Sequence, residues 1–149
     1  MKVFIGADHA GFALKEKVKA YLTELKVLYV DCGNEQLEPA DDYTDYAYRV
    51  AKKAARTNSR GILICNSGVG MCIAANKVKG VRAVNASSPK LAKASRQDND
   101  SNVLCLGQGF LTEQAAKKIV FAWLNAKFSP FPRYKRRLNK IKHIENGKL

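Results

Sequence analysis

Short apolar runs, each of the length of a buried strand, alternate with helical patterns along the whole chain. The runs lie at 3–7, 27–30, 61–65, 81–84 and 103–106. Over 12–25 the apolar residues recur at the spacing of one helix face, with lysines on the other face. The intervening segments predict further helices over about 43–57, 70–77, 89–97 and 112–125, and a final helix over about 133–145.

This alternation predicts the architecture. Alternating strands and helices with short connections specify a parallel sheet that is covered on both faces. We therefore predict an α/β fold of one domain over 1–149, with a three-layer Rossmann-like open sheet of five parallel strands and a C-terminal basic helix. The segment 126–149 is expected to form an arm and helix beyond the sheet.

Three polar motifs follow predicted strand ends. Asp8 and His9 follow the first strand, Cys65 to Gly70 follow the third, and 107–109 follow the fifth. In open parallel sheets the ligand site lies beyond the carboxyl ends of the strands. We therefore expect the three motifs to meet in one crevice.

The loop of Cys65, Asn66, Ser67, Gly68, Val69 and Gly70 carries the strongest chemical signal. Because a helix follows, its N–H groups lie at a positive dipole end, where a phosphate or an enediolate oxygen can bind. The same glycines also suit a tight strand-to-helix turn without a ligand. A helix N-terminus favours a thiolate, so Cys65 is a candidate base or nucleophile. Proton transfer beside a carbonyl needs only a base and donors for the enediolate, which favours an isomerase over a hydrolase.

Two further groups are candidates for substrate contacts. His9 could contact a phosphate or donate to a ring oxygen, or it could belong to a helix-capping turn that begins at Asp8. Arg133 and Arg137 are four residues apart, so a helix places both guanidinium groups on one face. Such a pair suits a phosphate clamp, or it forms the solvated end of a basic helix.

Composition narrows the function classes. Four cysteines without a CxxC pair, together with only two histidines, argue against a metal site. No apolar run approaches the roughly 20 residues that span a bilayer, and no signal-peptide pattern opens the chain, so a cytoplasmic protein is expected. The net charge is +13, and 127–149 holds eight Lys or Arg against Glu145 alone. A nucleic-acid surface would explain this charge, but no nucleic-acid module and no interleaved aromatic residues accompany it.

Several motifs together resemble the type B ribose-5-phosphate isomerase family, which includes allose- and galactose-6-phosphate isomerase subunits. The motifs are DHAG at 8–11, ICNSGVGM at 64–71, IAANKV at 73–78, GVRA at 80–83, SRQ at 95–97, ND at 99–100 and NVL at 102–104. They follow one another in the family's order, and the match runs from Lys2 to the tail.

The resemblance implies an aldose–ketose isomerase of the pentose phosphate pathway that interconverts ribose 5-phosphate and ribulose 5-phosphate without a cofactor. It implies that Cys65 moves a proton between C1 and C2, while Ser67 and the N–H groups of 66–70 hold the enediolate. Family members are dimers or tetramers with active sites shared between subunits. The arm 126–149 is therefore expected to pack on a partner, as in a homodimer.

The resemblance also assigns the remaining contacts. It places Asp8, His9 and Asn99 against the sugar, and Arg133 and Arg137 on its phosphate. With a sugar phosphate as the ligand, no nucleic acid and no membrane are expected as partners.

Three residues depart from the family pattern. Asn66 stands where the family usually has glycine, and Gly109 where it commonly has a phosphate-binding arginine. Asp98 stands where the family has the histidine credited with opening the furanose ring. Asp98 is retained as a catalytic candidate, with Asp8 as one candidate for its neighbour.

These departures leave two alternatives open. The missing arginine permits a hexose 6-phosphate as the substrate, with Lys135 or Arg136 as a relocated phosphate ligand. The missing histidine permits a binding-only homologue, or an isomerase that opens cyclic sugars poorly.

Overall fold

Within residues 1–56 and 58–148, which the computed structural model describes, five strands and six α-helices alternate along the chain. The strands are β1 Lys2–Ala7, β2 Tyr29–Asp31, β3 Ser59–Cys65, β4 Ala83–Asn85 and β5 Val103–Gly107. The helices are α1 Phe12–Glu24, α2 Tyr43–Ala54, α3 Val69–Ala75, α4 Pro89–Asn99, α5 Glu113–Asn125 and α6 Pro132–Glu145. None of these helices is long and apolar enough to cross a membrane.

All five strands pair in parallel in the order β2-β1-β3-β5-β4, so the predicted sheet is confirmed. From β1 the chain first moves outward to β2 and then crosses back to β3. The gap between the ends of β1 and β3 is therefore a point where the strand order reverses, and ligands of open α/β sheets bind at such points. Ala7 lies opposite Ile64, and Cys65 lies opposite Gly107.

The sheet separates two apolar cores. Along β3, Ile62 and Ile64 pack in the core beneath α1 and α5, whereas Leu63 and Cys65 pack in the core beneath α2 and α3. This period of two is the alternation of side chains along a strand. The three predicted layers are confirmed, and Cys65 faces the α2 and α3 side.

The element boundaries differ from the predictions at a few places. β2 begins at Tyr29 instead of 27, because the turn that ends α1 consumes Val27, whose N–H donates to the Leu22 carbonyl at 2.9 Å. A short 3₁₀ helix, His9–Gly11, precedes α1 and was not predicted. The predicted end of α2 at Thr57 lies outside the described residues, and the helix ends at Ala54.

The first turn of α2 separates the roles of two adjacent acids. Asp41 and Asp42 both suit the N-cap on sequence grounds. Asp42 takes this role, with its Oδ1 accepting from the Thr44 N–H at 3.2 Å. Asp41 is thereby left for another partner.

Candidate active site

The three polar motifs meet at one edge of the sheet, as predicted, because β1, β3 and β5 are neighbours. The N–H groups of Gln108 and Gly109 donate to the carbonyls of Cys65 and Asn66 at 2.8 and 2.9 Å. The turn after β1 packs closely against the end of β3, since a Cβ added to Gly11 would lie 2.2 Å from the Ile64 carbonyl oxygen. The motifs therefore form a single crevice.

Cys65 ends β3 at the floor of this crevice. The residue is 6% exposed, and the Gly68 N–H donates to its Sγ at 3.1 Å. An N–H aimed at the sulfur is a ready partner for a thiolate. The thiol is therefore shielded from bulk water and lies next to a backbone donor.

The loop after Cys65 is held from two sides. Gly68 has φ +78°, and an added Cβ would lie 2.5 Å from Asn85 Oδ1, so only glycine fits there. The Asn85 side chain donates to the Ser67 carbonyl at 3.1 Å, and Ser67 Oγ accepts from the Val69 N–H at 3.2 Å. An adjoining cleft of about 290 Å³ is lined by Ser67, Val69, Asn85, Ala86, Ser87, Gly107, Phe110 and Leu111.

Asp8 caps the short turn beside the loop. Its Oδ1 accepts from the Gly11 N–H at 3.0 Å, and the residue is buried. Burial raises the pKa of Asp8, while the Gly11 N–H and the neighbouring His9 oppose that rise. The helix-capping role that the sequence left open for Asp8 is therefore the one the structure describes.

His9 lies on this turn and pairs with Asp41. Its Nδ1 is 2.8 Å from Asp41 Oδ1, and its backbone N–H donates to the same oxygen at 3.0 Å. The hydrogen bond to Asp41 raises the pKa of His9. The sequence analysis did not identify Asp41, which lies 32 residues away along the chain. The only available signal was a second acid beside the cap of α2.

Asp98 and Asn99 lie at the opposite end of the strands, where the strands begin. They end α4, and the Asn99 carbonyl accepts from Arg82 Nε at 3.0 Å, next to the start of β4. A helix between two parallel strands runs antiparallel to them, so its end meets the strand starts. With a rise of about 3.3 Å per residue, the strand from Gly61 to Cys65 alone spans about 13 Å. Asp98 is therefore not a neighbour of Asp8 within one chain.

Arg133 and Arg137 lie at this same end of the sheet, where the strands begin. Just before α6, the Ser129 N–H donates to the Gln97 carbonyl at 2.9 Å, which places the start of α6 beside the end of α4. Both arginines are exposed, and Arg133 stacks over the Tyr134 ring at 4.9 Å. The predicted site residues of one chain therefore form two groups, one at the carboxyl ends of the strands and one at their starts.

A cleft of about 430 Å³ lies at the end where the strands begin, and it is larger than the cleft beside the Cys65 loop. It is lined in part by Arg60, Arg82 and Arg96, and burial together with the charge of Arg96 lowers the pKa of Arg60 to about 10. These arginines donate to backbone carbonyls and to Asp100. Among the described residues that line this cleft there is no cysteine or histidine, so we place the chemistry at the Cys65 end of the strands.

Comparison with known proteins decides the family. The model of the family described as Ribose/Galactose Isomerase matches residues 3–141. The chain belongs to this family. It is a sugar-phosphate isomerase.

Three relatives show the range of the ribose/galactose isomerase family around this chain. "Ribose-5-phosphate isomerase B" of Escherichia coli is 44% identical and covers 97% of this chain and 96% of its own. "Ribose-5-phosphate Isomerase B" of Mycoplasma genitalium, solved "with bound Ribulose-5-phosphate", has a TM-score of 0.93 at 41% identity, covering 97% of this chain and 96% of its own. "D-erythrulose-4-phosphate isomerase" of Pectobacterium atrosepticum is 36% identical and covers 86% and 85%.

Two of the departures from the family pattern are in contact in this isomerase. The Asn66 side chain lies over Gly109, where an added Cβ would be 2.5 Å from Asn66 Oδ1 and 3.2 Å from the Asn66 carbonyl oxygen. The Gly109 N–H also donates to that carbonyl. In this conformation the Asn66 side chain occupies the space that a Cβ at 109 would need, so the two departures from the family pattern are in direct contact.

A second thiol lies on the helix that follows the Cys65 loop. Cys72 on α3 is half-buried, and its hydrogen bond with Cys105 lowers its pKa to about 7. Cys105 lies within the core, where burial raises its pKa. Cys72 is therefore the thiol against which the role of Cys65 must be tested.

Proposed function

We propose that this isomerase interconverts ribose 5-phosphate and ribulose 5-phosphate through an enediolate, with Cys65 as the proton-transfer base. The observation that carries the proposal is the shielded Cys65 thiol in the strand-end crevice, with the Gly68 N–H 3.1 Å from its sulfur. Under this proposal the protein acts in the cytoplasm, in the pentose phosphate pathway.

The loop supplies what the carbon chemistry needs. The Cys65 thiolate takes the proton from C2 of the open-chain aldose and returns a proton to C1. Negative charge develops on the substrate oxygens between these steps, and preorganised donors stabilise such charge best. We assign this role to Ser67 and to the N–H groups of Asn66, Gly68, Val69 and Gly70. Of these, the Gly68 and Val69 N–H groups exchange their bonds to Cys65 Sγ and Ser67 Oγ for bonds to the substrate oxygens.

The substrate phosphate needs cations that one chain does not bring to Cys65. We propose that Arg133 and Arg137 of a partner subunit bind it, and that Asp98 and Asn99 arrive from the same partner. Two features support a partner subunit, one at the Cys65 loop and one at α6. Exposed apolar side chains surround the loop, with Phe110 76% exposed, Ile73 58% and Val69 48%. In addition, no residue of α6 is buried within its own chain.

A shared site predicts recovery of activity when two inactive variants are mixed. Cys65→Ala lacks the base, and Arg133→Ala/Arg137→Ala lacks the phosphate clamp. In a mixed dimer, one of the two sites receives both defects and the other receives neither. The mixed dimer, isolated from both parental dimers, should therefore have about one half of the wild-type activity.

The measurement is the turnover of ribulose 5-phosphate after the two variants are coexpressed and purified through two different tags. Each variant alone is the control, and it should remain close to background. A mixture that is no more active than the sum of its parents would place all these residues in one chain.

A four-carbon sugar 4-phosphate is the second candidate substrate. Its O4 is blocked by the phosphate, so it forms no furanose ring and needs no group to open one. Asp98, in the place of the family histidine, favours such a substrate, and one relative has a name that specifies D-erythrulose 4-phosphate. This candidate keeps Cys65 and the loop in the same roles.

A panel of ketose phosphates tests the proposal. We expect the highest kcat/KM on ribulose 5-phosphate, measured against erythrulose 4-phosphate and against allulose and tagatose 6-phosphates. A higher value on erythrulose 4-phosphate would replace the pentose with the tetrose, and a higher value on a hexulose phosphate would replace it with the hexose. Saturable binding of the panel without turnover would overturn the catalytic proposal.

A further inference from the structure

The cleft at the start of the strands collects positive charge that the proposed isomerase site does not use. Its basic lining residues are Arg56, Arg60, Arg82, Arg96 and Lys142. Asp100 is the only acidic residue among those described in this lining. None of the described lining residues is assigned to the sugar-phosphate site, so this excess of cations needs a separate explanation.

Two of these arginines are held by one carboxylate. Arg82 Nη2 and Arg96 Nη1 donate to the two side-chain oxygens of Asp100 at 2.9 and 2.7 Å. Arg82 also donates to the Asp100 carbonyl, and Arg96 donates to the Ser101 carbonyl. Because both guanidinium groups are already ordered, an anion that binds them does not have to immobilise flexible side chains.

Arg60 places a third guanidinium group next to this pair. Its Nη1 donates to the Leu124 carbonyl at 2.8 Å, and the group lies 5.3 Å from the centre of the Trp123 ring. Burial and then the charge of Arg96 lower the pKa of Arg60. Neighbouring cations repel each other, and an anion bound beside them would relieve this repulsion.

The three guanidinium groups also have N–H donors that their own chain does not use. Each group has five such donors. Within the described residues, the hydrogen bonds of Arg60 and Arg96 involve only Nη1, and those of Arg82 involve Nε and Nη2. The Arg96 side chain is 9% exposed, and its Nε is buried without a partner among the described residues. Ion pairing and helix capping explain the bonded nitrogens, whereas the unused donors favour an additional acceptor.

The size and lining of the cleft indicate the kind of acceptor. A volume of about 430 Å³ is in the range of small-molecule sites and exceeds what a single ion fills. Planar guanidinium groups match phosphate oxygens with pairs of hydrogen bonds. The described part of the lining contains no aromatic side chain, so it offers no surface on which a nucleic-acid base would stack.

We propose that this cleft is a second anion site, which binds a small molecule with one or two phosphate groups through the unused donors of its arginines. The site is separate from the Cys65 crevice of the same chain. Arg60 precedes Cys65 by five residues on β3, a distance of about 16 Å along the strand. Arg56 and Lys142 are exposed lining residues, and their charges help to attract the anion.

Trp123 provides a reporter for this site, because it is the only tryptophan of the chain. The Arg60 guanidinium lies over its ring, and its indole N–H donates to Ser101 Oγ at 2.8 Å. The Ser101 carbonyl in turn accepts from Arg96. The single indole signal in a proton–nitrogen-15 NMR spectrum should therefore shift, with saturation, as diphosphate is added at constant ionic strength.

Glycerol 3-phosphate, titrated in the same way, distinguishes two sources of the phosphate group. A lower Kd for glycerol 3-phosphate would identify an organic phosphate ester as the preferred ligand. A lower Kd for diphosphate would show that the phosphate groups alone are recognised. An indole shift that grows linearly with both compounds, without saturation, would overturn the proposal.

Arg56→Gln/Lys142→Gln tests the cleft against a matched control. Both side chains are exposed, so the fold should tolerate the changes. We expect the loss of these two charges to raise the Kd for diphosphate by about 10-fold or more. Lys52→Gln/Lys140→Gln removes the same charge from exposed positions outside the described lining, and its Kd should stay within about two-fold of wild type. An equal rise in both double variants would reduce the effect to net surface charge and overturn the site.

Arg133→Ala/Arg137→Ala separates this site from the proposed clamp for the substrate phosphate. The variant should keep the wild-type titration of Trp123 while it loses turnover. Loss of the Trp123 response in this variant would assign the anion to the clamp and overturn a second site. If the isomerase proposal fails instead, the titration still decides the question of the cleft, because turnover is not its readout.

Discussion

Cys65→Ala is expected to lower kcat by between about 10² and 10⁴-fold on every sugar phosphate that the wild-type protein turns over. The substitution removes the base that takes the proton from carbon, whereas the loop and its N–H groups remain. Binding should therefore survive, and the KM or the Kd for a substrate should change only a few-fold. Steady-state kinetics together with calorimetric titration of ribulose 5-phosphate would measure both quantities.

Cys72→Ala is the matched control, because it removes a thiol of lowered pKa from the helix that follows the same loop. The pKa of Cys72 is about 7, so a substantial fraction of it is thiolate at neutral pH. Cys72 packs against the core on the α2 and α3 side of the sheet. We expect its removal to change kcat by no more than a few-fold. A large loss in Cys72→Ala with activity retained in Cys65→Ala would exchange the roles of the two thiols.

Gly11→Ala is expected to reduce the free energy of unfolding by about 3 kcal/mol or more, the range of severe overpacking. The added Cβ would lie 2.2 Å from the Ile64 carbonyl oxygen and 2.8 Å from the Cys65 nitrogen. Both atoms belong to the end of β3, so the strand or the turn must move. Activity should also fall, because that movement displaces Cys65 and its loop.

Urea unfolding of the wild-type protein and of Gly11→Ala measures the loss of stability. Gly147→Ala is the control variant. Gly147 has φ +63°, but nothing lies within 4 Å of an added Cβ there. Its substitution should cost about 1 kcal/mol through backbone strain alone. An equal effect of the two substitutions would mean that the turn at Gly11 accommodates a side chain, and that the close approach to Cys65 is not required.

The strand ends of the fold were predictable because burial and periodicity act locally. Each buried run, such as 61–65, must lie in the sheet, and parallel pairing then brings its carboxyl end to a known edge. The positions of the Cys65 loop and of the turn at Asp8 follow from this rule. Alternation along β3 also places Cys65 on the same face of the sheet as Leu63.

The pairing of side chains between loops was not predictable in the same way. Nothing in the pattern around Asp41 distinguishes a carboxylate that binds His9 from one that caps α2, because both roles suit an acid before a helix. Only the path of the loop from β2 to α2 decides which of the two roles Asp41 takes. Sequence periodicity contains no information on that path.

The separation of Asp98 from Asp8 within one chain was predictable from the sequence. Asp98 lies in the last turn of a helix that connects two parallel strands, so its place at the edge of strand starts was implied by helix direction alone. Resemblance to a family identifies the members of a site without stating which of them share a chain. The direction of α4 supplies that missing distinction.

The close fit of Asn66 against Gly109 restricts the routes by which evolution can alter this loop. A lineage with a side chain at 109 must either lose it or turn the Asn66 side chain away, because a Cβ at 109 would lie 2.5 Å from Asn66 Oδ1. The reverse intermediate, with glycine at both positions, is free of that conflict. The two positions are therefore expected to vary together among descendants, and the path between the two loop types runs through a doubly permissive ancestor.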